Sequence, residues 1–187
     1  IQRAVDMIAA DALIIHLNCL QELMQEDGDT DWRGLLAAIE TVCTCLDVPV
    51  IAKEVGMGIS AGTAKRLVNA GVSAIDVAGK GGTNFVEVEA GRTDDPRLRA
   101  LGEIFKDWGI ATPDAVKAIR AELPDIPLIA SGGIRHGLDA AKAIKLGANV
   151  IAQAGPILQA ATKSTQAVLD HFEFMESALR IGLACSE

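Results

Sequence analysis

The stretch "PLIASGGIRHGLDAAKAIKLGANVIAQAGP", residues 127–156, contains the pattern that decides the fold. Two short apolar runs, "PLIAS" (127–131) and "NVIAQA" (149–154), flank "GLDAAKAIKL", whose apolar residues recur at helical spacing. Gly147 follows the helical segment, as glycine commonly does after the last turn of a helix. Both runs are apolar without alternation, which is typical of parallel strands buried on both faces. The stretch therefore predicts a strand, a crossover helix and a second parallel strand.

Three apolar runs of the same kind precede it, "ALIIH" (12–16), "PVIAKE" (49–54) and "SAIDVA" (73–78). Five strands alternating with helices indicate an α/β fold of βα units on a parallel sheet. A doubly wound sheet would need G-x-G-x-x-G directly after a strand, and "GMGIS" (56–60) has no third glycine in place. We therefore predict a TIM (β/α)8 barrel of which this chain holds the last five βα units, as a single domain over residues 1–187.

Helix start signals lie between the predicted strands. Asp31 precedes "WRGLLAAIETVCTCL", Ser60 precedes "AGTAKRLVNA", and Thr112 precedes a proline that opens "PDAVKAIRAEL". These residue types favour the N-cap position because their side-chain oxygens accept hydrogen bonds from the first free N–H groups of a helix. The pattern "STQAVLDHFEFMESALRIGLA" predicts a long amphipathic helix at the end of the chain.

Composition narrows the classes of partner. The 187 residues carry a formal net charge of −8, which argues against binding nucleic acid or an anionic membrane surface. No apolar run approaches the roughly 18 residues of a membrane-spanning helix, and no secretory signal pattern opens the chain, so we expect a cytoplasmic protein. The four cysteines match no zinc or redox spacing and are expected to be free thiols.

Polar side chains gather where the predicted strands end. In a parallel barrel the carboxyl ends of the strands form the active-site face. The polar positions there are His16, Asn18, Gln21 and Glu22 after the first strand, Lys53 and Glu54 after the second, "GKGGT" (79–83) after the third, "SGGIRHG" (131–137) after the fourth and "AGP" (154–156) after the fifth.

The fourth of these loops predicts an anion site. Gly132 and Gly133 leave backbone N–H groups accessible, and a helix is expected to begin near Gly137. Loop amides and the positive end of a helix dipole together favour a phosphate group. Lys53 interrupts an apolar run, and burying it is costly unless an anion or an acid accompanies it.

Six motifs together resemble one family of flavin enzymes, the type 2 isopentenyl-diphosphate isomerases. In order along the chain they are "HLNCLQE" (16–22), "KEVGMG" (53–58), "DVAGKGGTNF" (76–85), "DWGI" (107–110), "SGGIR" (131–135) and "AGPIL" (154–158). The resemblance implies interconversion of isopentenyl and dimethylallyl diphosphate, small-molecule substrates of isoprenoid biosynthesis, by an enzyme that uses FMN, NADPH and Mg²⁺. It also implies a homo-oligomer, a tetramer or an octamer.

The resemblance assigns roles by motif. Gln21 would contact the allylic carbons of the substrate, with His16 and Asn18 lining the same pocket, and Glu22 would bind Mg²⁺. Lys53 would lie beside the flavin ring and Thr83 would hydrogen-bond to it. The amides expected to hold the FMN phosphate are those of Gly132, Gly133, Ile134, Ala154 and Gly155.

Two departures and two alternatives accompany these assignments. Cys19 stands where the family usually has proline, and the Arg-Lys-His segment of the family's first three strands does not occur in this chain, so we expect no useful turnover from residues 1–187 alone.

Another FMN-dependent barrel oxidoreductase, of the α-hydroxy-acid oxidase type, would need a histidine base between Gly79 and Thr83, where there is none. An inactive fragment is the other alternative.

Overall fold

The computed structural model describes residues 1–186. Its central sheet contains five parallel strands in the order of the sequence: β1 (Leu13–His16), β2 (Val50–Lys53), β3 (Ala74–Asp76), β4 (Leu128–Ala130) and β5 (Val150–Ile151). A doubly wound sheet reverses its strand order at one point, whereas a barrel sheet adds each strand beside the last. The uninterrupted order therefore confirms the predicted fold, five consecutive βα units of a (β/α)8 barrel.

One helix precedes the first strand, and the other helices connect the strands or follow the last one. They are α1 (Gln2–Ile8), α2 (Cys19–Leu23), α3 (Leu35–Cys45), α4 (Ala61–Asn69), α5 (Phe85–Arg92), α6 (Pro96–Phe105), α7 (Thr112–Glu122), α8 (Gly137–Lys145), α9 (Gly155–Ala161) and α10 (Thr165–Ala184). Within residues 1–186, none of the helices is both long and apolar enough to cross a membrane.

Two of the three predicted helix starts were wrong. Ser60 caps α4 as expected, with its hydroxyl oxygen accepting a hydrogen bond from the Thr63 N–H at 3.1 Å. The α3 helix begins only at Leu35, because Asp31 instead accepts hydrogen bonds from the backbone and guanidinium of Arg33. Thr112 is the first residue of α7 and not its cap, and its hydroxyl is used elsewhere.

The core lies between the sheet and the surrounding helices. Ile75 at the centre of β3, Leu128 in β4 and Ile119 of α7 are fully buried, and each such side chain contributes about 1.5–3 kcal/mol relative to an exposed one. The two outermost strands differ, since Ile14 of β1 is 56% exposed and Val150 of β5 is 53% exposed. The sheet described here is therefore an open segment of a barrel wall, with free edges at β1 and β5.

Candidate active site at the carboxyl edge of the sheet

Three polar side chains form a row across the first three strands. His16 is the register partner of Lys53, and Lys53 is the register partner of Asp76. Parallel strands in register present such partners on the same face of the sheet. The two predicted residues of this row are thus brought together, and the structure adds Asp76, which the sequence had not singled out.

Asp76 anchors this row by hydrogen bonds. Its Oδ1 accepts a 2.6 Å hydrogen bond from the Ser131 hydroxyl and a 3.2 Å bond from the Ala78 N–H. The ammonium of Lys53 lies 4.0 Å from the other carboxylate oxygen. Burial raises the pKa of Asp76, while Ser131 and Lys53 act in the opposite direction. From the sequence, either an anion or an acid was expected beside Lys53, and Asp76 is such an acid.

Glu54, which directly follows Lys53 in the sequence, fixes the backbone of the loop after β2. Its Oε2 accepts hydrogen bonds from the four successive backbone N–H groups of residues 55–58, at 2.5–3.2 Å. Burial raises the pKa of Glu54, and these four donors oppose the shift. The carbonyl of the same residue accepts a 2.6 Å hydrogen bond from the Lys53 ammonium. Glu54 therefore fixes the backbone on which Lys53 is presented.

The short helix α2 contains the predicted site residues Gln21 and Glu22, and a third, Asn18, directly precedes it. Asn18, just before it, donates a 2.6 Å hydrogen bond to Oε1 of Glu22. The other oxygen of Glu22 accepts a 3.0 Å bond from the Asp29 N–H. Partial burial and the nearby Lys53 charge lower the pKa of His16, which favours the neutral imidazole. His16, Asn18 and Glu22 are consequently held within one stretch at the end of β1.

Gln21 is positioned by a residue that sequence reasoning missed. Its amide donates a 2.8 Å hydrogen bond to Oε1 of Glu89 in α5, which also accepts a 2.9 Å bond from Gln25. Glu89 is buried, and the hydrogen bond from Gln21 is the main cause that lowers its pKa. One sequence feature could have indicated that Glu89 is buried. It lies three residues after Val86, so both side chains project from the same, inward face of the helix.

Two glycine-rich loops pack backbone against backbone beside this row. Gly132 has φ 90° and Gly133 has φ 78°. A Cβ atom on Gly132 would lie 2.0 Å from the carbonyl oxygen of Gly79, and one on Gly82 would lie 2.8 Å from the backbone nitrogen of Gly133. The hydroxyl of Thr112 lies 3.0 Å from the Ser131 carbonyl oxygen and 2.6 Å from that of Gly132. These contacts leave no room for side chains and fix the direction of the loop carbonyls.

The amides predicted to hold a phosphate are free of protein acceptors. Among residues 1–186, none of the backbone N–H groups of Gly132, Gly133, Ile134, Ala154 and Gly155 donates to a backbone or side-chain acceptor. Space is open at Gly155, where a Cβ atom would meet nothing within 4 Å. Free amides beside an open position fit a phosphate group.

The start of helix α8, which was expected to favour an anion, carries side-chain caps of its own. His136 caps the helix, because its Nδ1 accepts a hydrogen bond from the Asp139 N–H at 3.3 Å. The carboxylate of Asp139 also accepts from the Arg135 N–H at 3.1 Å. The positive end of α8 is thus already matched by a side-chain cap and a carboxylate of its own first turn.

A second residue missed by sequence reasoning joins the two candidate phosphate loops. Gln153 follows β5, and its amide donates a 2.9 Å hydrogen bond to the carbonyl of Ile134. Its side-chain oxygen lies 2.9 Å from Nε2 of His171 in α10. The loop after β4 is therefore tied to the loop after β5 and to the last helix.

Thr83 and Glu22 were predicted to contact the flavin and Mg²⁺, respectively. Thr83 is exposed at the end of the glycine loop after β3, and within residues 1–186 its hydroxyl makes no hydrogen bond to protein. In the same part of the chain no group of three or more His, Cys, Asp or Glu side chains could hold a metal ion. Glu22 is a single carboxylate, which suits Mg²⁺ only where substrate phosphates and water complete its coordination.

The fold and this edge define a class, proteins built on a (β/α)8 barrel, here with backbone amides that are unpaired within residues 1–186 in the loops after the last two strands. The chain belongs to the FMN-dependent dehydrogenase family, whose sequence model matches residues 15–186. It is 57% identical over 185 residues to a protein of Stutzerimonas stutzeri (strain A1501) named isopentenyl-diphosphate delta-isomerase, covering 99% of this chain and 54% of the relative. A protein of Synechococcus sp. with the same name is 52% identical over 186 residues, covering 100% of this chain and 53% of the relative. The chain thus spans about half the length of these curated relatives.

Solved structures support the fold alone. A crystal structure of mandelate oxidase with 3,3-difluoro-2-hydroxy-3-phenylpropionic acid superimposes with a TM-score of 0.65 at 20% identity, covering 98% of this chain and 55% of that one. A second, of mandelate oxidase with (S)-4-hydroxymandelic acid, has a TM-score of 0.58 at 24% identity, with 80% of this chain and 36% of that one covered.

Proposed function

We propose that this chain supplies one half of the active site of an FMN-dependent isopentenyl-diphosphate delta-isomerase. The observation that carries the proposal is the 57% identity over 99% of the chain to a relative of that name. The arrangement of the predicted residues supports it, since Gln21 and Glu22 on α2 and Lys53 on β2 all lie at the carboxyl edge of the sheet.

The flavin would be held at two points. The free amides of Gly132, Gly133, Ile134, Ala154 and Gly155 would bind its phosphate. Lys53 would lie beside the ring, where its positive charge favours the anionic reduced form. Thr83, which is exposed at the end of its loop, would be available to hydrogen-bond to the ring. When bound and kept reduced by NADPH, FMN supplies proton transfer near its N5 without net oxidation or reduction of the substrate.

The residues on and around α2 would bind and orient the diphosphate substrate. Glu22 would contribute one oxygen to Mg²⁺, which neutralises the diphosphate, while Asn18 keeps that carboxylate in place. Gln21, held by Glu89, would lie against the allylic carbons. His16, kept neutral by partial burial and Lys53, would line the pocket as a hydrogen-bonding group without adding charge. We further propose a homo-oligomer in the cytosol, where charged diphosphates and NADPH are available.

The test uses a chimera because the chain spans about half of its relatives. Residues 1–187 are preceded by the amino-terminal half of the Stutzerimonas stutzeri relative, and the product is assayed with isopentenyl diphosphate, FMN, NADPH and Mg²⁺. We expect formation of dimethylallyl diphosphate by the chimera and none by residues 1–187 alone. A chimera that binds FMN but leaves the substrate unchanged would contradict the proposal.

Two variants test the assigned roles. Glu22→Gln should raise the Mg²⁺ concentration needed and lower turnover while FMN stays bound, whereas Glu26→Gln, an exposed glutamate in the segment after α2, should change neither. If Glu22→Gln instead loses flavin and keeps its Mg²⁺ response, the metal assignment is wrong. Lys53→Ala should weaken FMN binding or make the flavin harder to keep reduced, with Lys65→Ala as its control. Unchanged flavin affinity and potential in Lys53→Ala would remove this lysine from the site.

A further inference from the structure

A cavity of about 750 Å³ lies among α2, α3, α4 and the segment 108–110. Most of its wall is apolar, with contributions from Leu35, Leu36 and Ile39 of α3 and Leu67 of α4. A volume of this size and an apolar lining with few polar groups are typical of small-molecule sites. None of the residues assigned above to substrate, flavin or Mg²⁺ lines this cavity.

The two charged side chains at this cavity differ in how far protein groups engage them. Two charged side chains, Glu54 and Arg66, line it. One oxygen of Glu54 is engaged by four backbone N–H groups, which disperse the negative charge. Arg66 is exposed, with its guanidinium 3.4 Å from the Thr63 hydroxyl, and among residues 1–186 it forms no ion pair with a carboxylate. Arg66 can therefore pair with an anion that arrives from outside.

The tryptophan ring at one wall is held by packing. The indole N–H of Trp32 is buried and has no acceptor among residues 1–186. An unpaired buried donor costs about 1–3 kcal/mol. A ring that no hydrogen bond fixes can adjust to an occupant, and an acceptor on that occupant would remove the cost.

We propose that this cavity is a binding site for an amphipathic anion, a molecule with an aliphatic body that ends in one acidic group. The body packs against the leucine and isoleucine side chains of α3 and α4, and the acidic group pairs with Arg66. Because Cys19 and Leu20 of α2 form part of the wall, an occupant contacts the helix that also carries Gln21 and Glu22.

The sequence provides a local reporter for the test. It contains two tryptophans, and both Trp32 and Trp108 line the cavity. Decanoate is titrated at pH 7.5 into the chimera described above, in which any tryptophans of the added amino-terminal half are replaced by phenylalanine, while tryptophan emission is followed. We expect a saturable blue shift, with 1-decanol binding more weakly because it lacks the charge.

Matched variants separate this cavity from other apolar surface. Arg66→Gln should weaken decanoate binding about fivefold and leave decanol unchanged, whereas Lys65→Gln, whose side chain pairs with Glu122, should change neither. Leu36→Glu should remove decanoate binding, whereas Leu101→Glu, at a position of similar exposure outside the cavity, should not. Circular dichroism confirms that each variant is folded.

Three results would overturn the proposal. The first is a titration without saturation. The second is an equal effect of Arg66→Gln and Lys65→Gln on decanoate affinity. The third is an equal effect of Leu36→Glu and Leu101→Glu, which would mean that decanoate coats apolar surface in general. None of these readouts depends on isomerase activity, so the proposal can fail while the proposed function stands.

Discussion

Substituting alanine for Gly132 tests whether the two glycine loops are built as one backbone-packed unit. This glycine has φ 90°, which an L-residue adopts only under strain. Its new Cβ atom would lie 2.0 Å from the Gly79 carbonyl oxygen and 2.7 Å from the Gly79 nitrogen. Both neighbours are backbone atoms, so no side chain can rotate away and a loop must move.

The expected loss in the free energy of unfolding has two contributions, one from the strained backbone and one from the crowded methyl group. A left-handed backbone costs an L-residue about 1–2 kcal/mol, and forcing a methyl group into a packed site costs about 1–3 kcal/mol. Their sum, about 2–5 kcal/mol, should lower the melting temperature of a chain of this length on the order of 10 °C. The moved loop also carries the free amides, so FMN binding should weaken in parallel.

Thermal unfolding followed by circular dichroism measures the first effect, and flavin fluorescence titration of the chimera measures the second. Gly62→Ala is the matched control, because Gly62 lies inside α4 with nothing within 4 Å of its Cβ position. That control should gain about 0.5–1 kcal/mol from the better helix former. If Gly132→Ala unfolds at the temperature of the unsubstituted chain, the two loops are not packed as described and the reasoning fails.

Three further predictions concern buried polar contacts. Thr112→Val should cost about 1–3 kcal/mol in urea unfolding, because the Ser131 and Gly132 carbonyls lose the single O–H hydrogen that lies between them, while Thr112→Ser should restore most of it. Because burial raises the pKa of Asp76, the folded state binds this proton more tightly than the unfolded chain. Its contribution is therefore most favourable below about pH 3.9 and is lost as the pH rises through the raised value, so Asp76→Asn should flatten the stability profile above pH 3.9. Glu89→Gln should cost about 1–2 kcal/mol at pH 7, measured by urea unfolding, because two hydrogen bonds lose their charge assistance.

Most of the fold could be predicted from local sequence patterns. All five strands were predicted because apolar runs without alternation identify strands that are covered on both faces. The grouping of Asn18, Gln21 and Glu22 also followed from the sequence, since all three come directly after the first predicted strand. The helical turn that makes them neighbours was not predicted.

The missed residues depend on contacts between distant parts of the chain. Asp76 meets Ser131 across 55 positions, and Gln21 meets Glu89 across 68. Nothing near Asp76 or Glu89 in the sequence indicates which donor will reach it. The wrong N-cap at Thr112 has the same origin, because its hydroxyl serves two carbonyls about 20 residues further on and not the helix beside it.

The free edges of the sheet have a consequence for reconstitution from fragments. β1 and β5 each pair with one strand in residues 1–186, and each presents an exposed β-branched side chain, Ile14 and Val150. A separate polypeptide that supplied a single strand could satisfy one edge and would leave the other as a template for indiscriminate pairing. Complementation in trans therefore requires a fragment that spans the whole gap and docks at both edges together, which makes closure of the wall a cooperative, all-or-none association.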